Sequence, residues 1–129
     1  IGKNVVIRPS VKITYPWKLT LGDYAWVGDD AVLYTLGEIT IGANSVVSQK
    51  CYLCTGSHDF MSQHFDITAS PIVIGEKCWL ATDVFVAPGV SVGDGTVVGA
   101  RSSVFKSLPA NKICRGNPAV VIRERVETD

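Results

Sequence analysis

The chain has 129 residues with no formal net charge at pH 7, 47% hydrophobic and 19% charged. That balance gives no electrostatic footprint for nucleic acid. No apolar run approaches the roughly 20 residues of a membrane span. No basic-then-apolar signal opens the chain, so the expected setting is soluble and cytoplasmic.

In chain order, aliphatic residues recur at every sixth position. The first set is Ile1, Ile7, Ile13 and Leu19. The second is Leu21, Val27, Leu33 and Ile39, and the third Ile41, Val47 and Leu53. After a gap follow Ile74, Leu80, Val86, Val92, Val98 and Val104. Four places after most of them stands a small or β-branched residue: Val5, Ala25, Ala31, Ser45, Cys51, Ser57, Cys78, Val84, Val90, Thr96 and Ser102. A helix repeats at 3.6 and a simple strand at 2. A period of six with two inward slots describes one flat face of a triangular coil. Three faces make a coil of about 18 residues, stacked strand on strand about 4.8 Å apart. Glycine often follows the aliphatic, and the expected reason is an unusual backbone conformation at the turn.

The phase slips by two between Leu19 and Leu21, and again between Ile39 and Ile41, which predicts two coils with longer corners. The larger break predicts a non-repeating insertion over 59–71, and such insertions are often functional loops. Beyond Val104 the pattern fades. Leu108-Pro109 is expected to turn the chain off the coil, with 107–129 forming a cap and tail. Within it Ala119 to Arg125 are read as a short helix that packs Val121 and Ile122 on the coils. Together these parts form one domain over 1–129.

Cys51 and Cys54 form a Cys-x-x-Cys, but Cys51 fills an inward slot and no second pair stands at zinc spacing. Packing is the expected reading. Phosphate-binding glycine loops are absent. His58 stands where the insertion begins. With Ser57 read as inward, His58 should face out.

Several stretches carry a resemblance. They are Ile41-Gly-Ala-Asn-Ser-Val-Val-Ser-Gln, Leu53-Cys-Thr-Gly-Ser-His58-Asp, Pro71-Ile-Val-Ile-Gly-Glu-Lys-Cys-Trp79 and Val86-Ala-Pro-Gly-Val. Val98-Gly-Ala-Arg-Ser-Ser-Val-Phe-Lys106 and Gly116-Asn-Pro-Ala119 complete the set. The chain resembles the hexapeptide-repeat acyltransferases, in the maltose/galactoside O-acetyltransferase branch, and most of all the colanic acid biosynthesis acetyltransferases.

The resemblance implies an all-β fold, a left-handed parallel β-helix. It implies acetyl-CoA as co-substrate, a sugar or polysaccharide precursor as acceptor, no metal, and a homotrimer with active sites between subunits. His58 is then the catalytic base. An alcohol is a weak nucleophile at neutral pH, and an imidazole titrating near about 6.5 takes its proton during attack on a thioester. The Thr82 N–H is the implied oxyanion donor. Asp30, Asp59 and Trp79 are the acceptor-side candidates. Asp30 falls where sugar acetyltransferases carry an asparagine. Asp59 is also a candidate to orient His58, a task open equally to a backbone carbonyl. His64 reads as a solvated loop residue. Ala81, Gly99, Ala100 and Pro118 are candidates to line the CoA groove, with Lys106 and Arg123 for its phosphates. Trp26 and Tyr34 fall at outward slots that a partner copy would cover. An amine or serine acceptor, or a non-catalytic scaffold, stand as alternatives. A carbonic anhydrase of similar fold would need three histidine ligands, and the chain has two histidines.

Overall fold

The computed structural model describes residues 1–126. Residues 127–129 of the expected tail lie outside the described residues. The chain winds into a parallel β-solenoid of about five turns. Its first face stacks Val6–Ile7, Trp26–Val27, Val46–Val47, Trp79–Leu80 and Val97–Val98. The second stacks Lys12–Ile13, Val32–Tyr34, Tyr52–Cys54, Phe85–Val86 and Ser103–Val104. The third stacks Leu19–Leu21, Ile39–Ile41, Ile72–Ile74 and Ser91–Val92. All pairs among these are parallel, and the repeat sets their register: Val27 opposes Val47, which opposes Leu80, which opposes Val98.

The interior is the aliphatic ladder that the period of six predicts. Val27, Leu33, Ile39, Ile41, Val47, Leu53, Leu80, Val86, Val98 and Val104 are fully buried. Burying each such side chain stabilises by roughly 1.5–3 kcal/mol. Polar residues in the small slots stitch one coil to the next. Ser45 Oγ donates to the Gly75 carbonyl at 2.6 Å and accepts from the Cys78 N–H at 2.9 Å. Thr55 Oγ1 donates to the Tyr34 carbonyl at 2.5 Å and accepts from the Gly37 N–H at 2.8 Å.

The turn glycines act differently from expectation. Left-handed backbone falls two places later, at Asn4, Tyr24, Asp30, Asn44, Lys77 and Arg101, with φ between 54° and 62°. Hydrogen bonds such as Ala25 N–H to Gly22 O close type II-like turns around them. The glycines serve close approach between coils instead. A methyl on Gly22 would stand 2.5 Å from the Ala43 nitrogen, and one on Gly42 2.6 Å from the Gly75 carbonyl. Both contacts are backbone, so neither neighbour can swing aside. Gly42→Ala is therefore expected to destabilise by at least the roughly 1–3 kcal/mol of overpacking, measured as a lowered urea midpoint.

All four cysteines are free thiols. Cys51 is fully buried and its Sγ–H donates to the Ala81 carbonyl at 3.1 Å. Burial pushes its thiol up from 9.0 to about 11, and burial raises Cys78 and Cys114 likewise. The folded chain thus holds the Cys51 proton to higher pH than the unfolded chain. Its contribution is fully present below about pH 9 and lost as pH climbs toward about 11. Over that window urea stability is expected to fall by roughly 2–3 kcal/mol on account of Cys51. Cys51→Ala should flatten that part of the stability–pH curve.

The insertion is longer than 59–71 and partly ordered as a β-hairpin. Gly56–His58 pairs antiparallel with Ile67–Ala69. Thr55 fills the last inward slot of its coil, so Ser57 is exposed, against the expectation that it points inward. The Ser70 N–H donates to the Thr55 carbonyl at 2.9 Å and closes the neck.

The tail also departs from expectation. Leu108 stays on the solenoid, bridged to Val92. Lys112–Gly116 then adds a strand to the first face, with Ile113 opposite Val97 and Cys114 opposite Val98. The expected helix over 119–125 is instead the strand Ala119–Glu124, folded back antiparallel on Lys112–Gly116. Its run of Val120, Val121 and Ile122 suits a strand, because β-branched side chains lose rotamer freedom in a helix. Val121 and Ile122 are both 46% exposed and do not pack on the coils. Arg125 pins the tail, its Nη1 donating to the Lys77 and Gly95 carbonyls at 2.9 Å each.

Candidate functional site

The hairpin places His58 at the corner between the second and third faces. The side chain is exposed, and Nδ1 lies 2.8 Å from the Phe65 carbonyl. A carbonyl oxygen only accepts, so Nδ1 carries the hydrogen in this contact and Nε2 of the neutral ring keeps its lone pair. The loop that presents Phe65 is tied internally. Ser62 Oγ donates to the Asp59 carbonyl at 2.9 Å and accepts from the Asp66 N–H at 2.8 Å. The Asp59 N–H donates to the Asp66 carbonyl at 2.8 Å. The Asp59 carboxylate accepts from the Met61 N–H at 3.0 Å, so it shapes the loop and does not meet His58. His64 is exposed in the same loop. A groove of about 150 Å³ beside the imidazole is lined by Tyr34, Leu36, Gly56, Ser57 and Ile67. A methyl on Gly56 would stand 2.7 Å from both Tyr34 and Leu36 side chains, so a larger residue there would have to push them aside and reshape the groove.

A second group of candidates gathers at a different corner, between the first and second faces. Thr82 occupies the second position of a turn in which Asp83 takes φ 61°. The Thr82 carbonyl accepts from Arg101, while its N–H has no acceptor among the described residues. Ala81 and Ala100 flank this column. Gly99 is less open than expected. Its N–H is spent on the Cys114 carbonyl at 2.8 Å, and a methyl there would stand 3.1 Å from Arg115 Cβ. Pro118 is exposed in the tail turn next to Gly116, whose N–H donates to Ser102 Oγ at 3.0 Å.

Asp30 stands lower on the same corner, in a hollow of about 410 Å³ with Arg8, Trp26, Gly28, Asp29, Gln49 and Lys50. Its φ is 60° and its N–H donates to Ser10 Oγ at 2.9 Å, so it has a turn role as well as a place in the hollow. Asp29 beside it pairs with Arg8 at 3.1 Å. Trp79 looks out from the first face, half exposed, with Nε1–H donating to Ser48 Oγ at 2.9 Å.

The two expected phosphate cations do not converge. Lys106 is exposed at the second–third corner, whereas Arg123 lies opposite Ile113 on the outer tail strand. Arg101 and Arg115 are exposed beside Ala100 and Gly99 and went unnoticed in the sequence. The two-residue offset from Gly99 would have placed Arg101 on that corner.

Between the two groups lies the width of the second face. About six residues cross it, at roughly 3.3 Å each, so the His58 corner and the Thr82 corner stand some 15–20 Å apart. Within one chain the His58 imidazole and the Thr82 N–H, which has no acceptor among the described residues, are too far apart to meet at one atom. Among the described residues no three His, Cys, Asp or Glu side chains converge as metal ligands. No helix there is long and apolar enough to cross a membrane.

The family model for bacterial transferase hexapeptide, six repeats, matches residues 71–106. Over all 129 residues the chain is 88% identical to a protein of Escherichia coli strain K12, and it spans 71% of that protein's length. That relative bears the provisional name colanic acid biosynthesis acetyltransferase WcaF. The fold superposes on a galactoside acetyltransferase in complex with coenzyme A with TM-score 0.92 and 29% identity, covering 97% of this chain and 64% of that one. It superposes on the hexapeptide-repeat containing acetyltransferase VCA0836 of Vibrio cholerae O1 biovar eltor, complexed with acetyl coenzyme A, with TM-score 0.93 and 25% identity. That match covers 98% of this chain and 71% of the other. These acetyltransferases are left-handed parallel β-helices, and this chain shares their fold.

Proposed function

From the premise that this chain belongs to the hexapeptide-repeat acetyltransferases, we propose that it moves the acetyl group of acetyl-CoA to a hydroxyl of a sugar or polysaccharide precursor. The observation that carries the reading is the His58 contact. Nδ1–H is committed to the Phe65 carbonyl, which leaves Nε2 as the proton acceptor at the edge of an open groove. In the proposed reaction Nε2 takes the hydroxyl proton as that oxygen bonds to the thioester carbonyl carbon. The carbon–sulfur bond then breaks, and the leaving CoA sulfur recovers the proton from the imidazolium. The Thr82 N–H serves as donor to the oxyanion between these steps. Ala81, Ala100 and Pro118 would line the acetyl-CoA groove. Of the cations, Lys106, Arg101 and Arg115 suit its phosphates better than Arg123, whose strand lies away from both corners. Asp30 and Trp79 remain candidates for acceptor hydroxyls and the cleft wall.

The separation of the two corners favours a homotrimer. If each copy turns its second face toward a three-fold axis, the His58 corner of one copy meets the Thr82 corner of the next. Three equivalent sites follow from the cyclic symmetry. The relative's name suggests colanic acid as the end product. A CoA-release assay with acetyl-CoA and a panel of sugars, nucleotide sugars, serine and amines tests the reading. Release with a sugar is the expected result. Release with amines or serine alone would replace the acceptor class, and none with any acceptor would return the scaffold reading.

A further inference from the structure

Tyr15 and Trp17 form an exposed aromatic pair whose packing serves no part of the core. The short turn Pro16–Lys18 presents them at the second–third corner of the first coil. Their ring centroids lie 5.1 Å apart at 35°, and Trp17 is 77% exposed. The pair is nonetheless held in place. The Tyr15 N–H donates to Thr35 Oγ1 at 2.6 Å, and the same hydroxyl donates to the Tyr15 carbonyl at 3.1 Å. The Lys18 ammonium sits 5.5 Å over the Tyr15 ring and donates to the Leu36 carbonyl at 2.6 Å. Leu36 in turn lines the groove beside His58. Platform, Leu36 and hairpin neck therefore follow one another up a single corner over three successive coils. At about 4.8 Å per coil the platform stands roughly 10 Å below the neck.

A rigid, open aromatic face with polar neighbours matches the chemistry of a sugar ring. The C–H face of a pyranose is apolar and can lie against the ring, while its hydroxyls stay in water or meet Lys18. In the proposed trimer this same corner borders the cleft between copies, along which an acceptor would reach His58. We propose that Tyr15 and Trp17 are a distal saccharide subsite, which holds a sugar unit of the acceptor remote from the unit acetylated at His58. The proposal rests on the sugar-acceptor reading above and adds that the acceptor is an oligosaccharide.

The test compares methyl β-galactoside with β-1,4-galactotriose as acceptors. For the unaltered chain the trisaccharide is expected to have the higher kcat/KM. Trp17→Ala should cut the trisaccharide-to-monosaccharide ratio of kcat/KM at least fivefold, and Trp17→Phe, which keeps a ring face, should restore most of it. An unchanged ratio in Trp17→Ala overturns the subsite and leaves the acetyltransferase reading standing. So does a change of oligomeric state by light scattering, which would make the pair a subunit contact. Binding is read separately in a His58→Ala background, by saturation-transfer NMR with galactotriose. Transfer signal lost on adding Trp17→Ala supports the subsite whether or not acetyl transfer is seen. No binding and no transfer with either sugar sinks the subsite and the sugar-acceptor reading together.

Discussion

Replacing His58 by alanine is expected to lower acetyl transfer by about 10²–10⁴-fold, the usual contribution of a positioned general base. The KM for acetyl-CoA should hold, because the imidazole is assigned to the acceptor proton and not to the CoA groove. Folding should be unaffected: His58 is exposed, and among the described residues the ring's one hydrogen bond is to the Phe65 carbonyl. Exposed substitutions of this kind usually stay within about 0.5 kcal/mol, so urea midpoints of variant and parent should coincide. Near-native turnover in His58→Ala would remove the base from the mechanism. The fixed Nδ1 contact adds a sharper expectation. His58→Gln offers no ring nitrogen to accept the proton and should be as inactive as alanine.

The second large effect is Thr82→Pro. Proline lacks the backbone N–H, so the substitution deletes the proposed oxyanion donor. The second position of a type II-like turn also favours proline, so the coil should tolerate it. Loss of one such donor typically costs about 10²–10³-fold in kcat. Thr82→Ala keeps the N–H and should stay active, which separates the backbone from the hydroxyl. The pair of inactive variants also tests the assembly. In a site built between copies, an intact His58 from the Thr82→Pro chain can meet an intact Thr82 from the His58→Ala chain. Equal mixing, with random exchange in a cyclic trimer, leaves about one interface in four intact. The mixture should regain about a quarter of the parent activity. A mixture as inactive as its components would place both groups in one chain and contradict the three-fold arrangement.

Much of this molecule was legible along the chain. Leu33, Leu53, Val86 and Val104 point inward because a coil of three short faces repeats its inward slot every six residues. A side chain's place then depends on its own phase alone. The same phase marked where the coil is interrupted, and so located His58. Local rules failed where a residue's role depends on a strand far away. Gly42 is glycine because the Gly75 carbonyl lies against it, a contact across the insertion that no local turn preference reveals. Val120 to Ile122 read as a helix only while Lys112–Gly116, their pairing partner, was not recognised as a strand. Ser57 kept the six-residue phase in sequence after the chain had already left the coil at Thr55.

The site divides along the same line. That His58 faces out at the mouth of an insertion follows from the repeat. That its Nδ1 is held by the Phe65 carbonyl, and not by the neighbouring Asp59, required the hairpin to close. The sequence by itself determined the solenoid, its register and the address of His58, because each inward slot is read from a local period. Only the tertiary structure set the His58 imidazole and the Thr82 N–H on separate corners, because which corner a residue reaches depends on the accumulated winding of the whole coil.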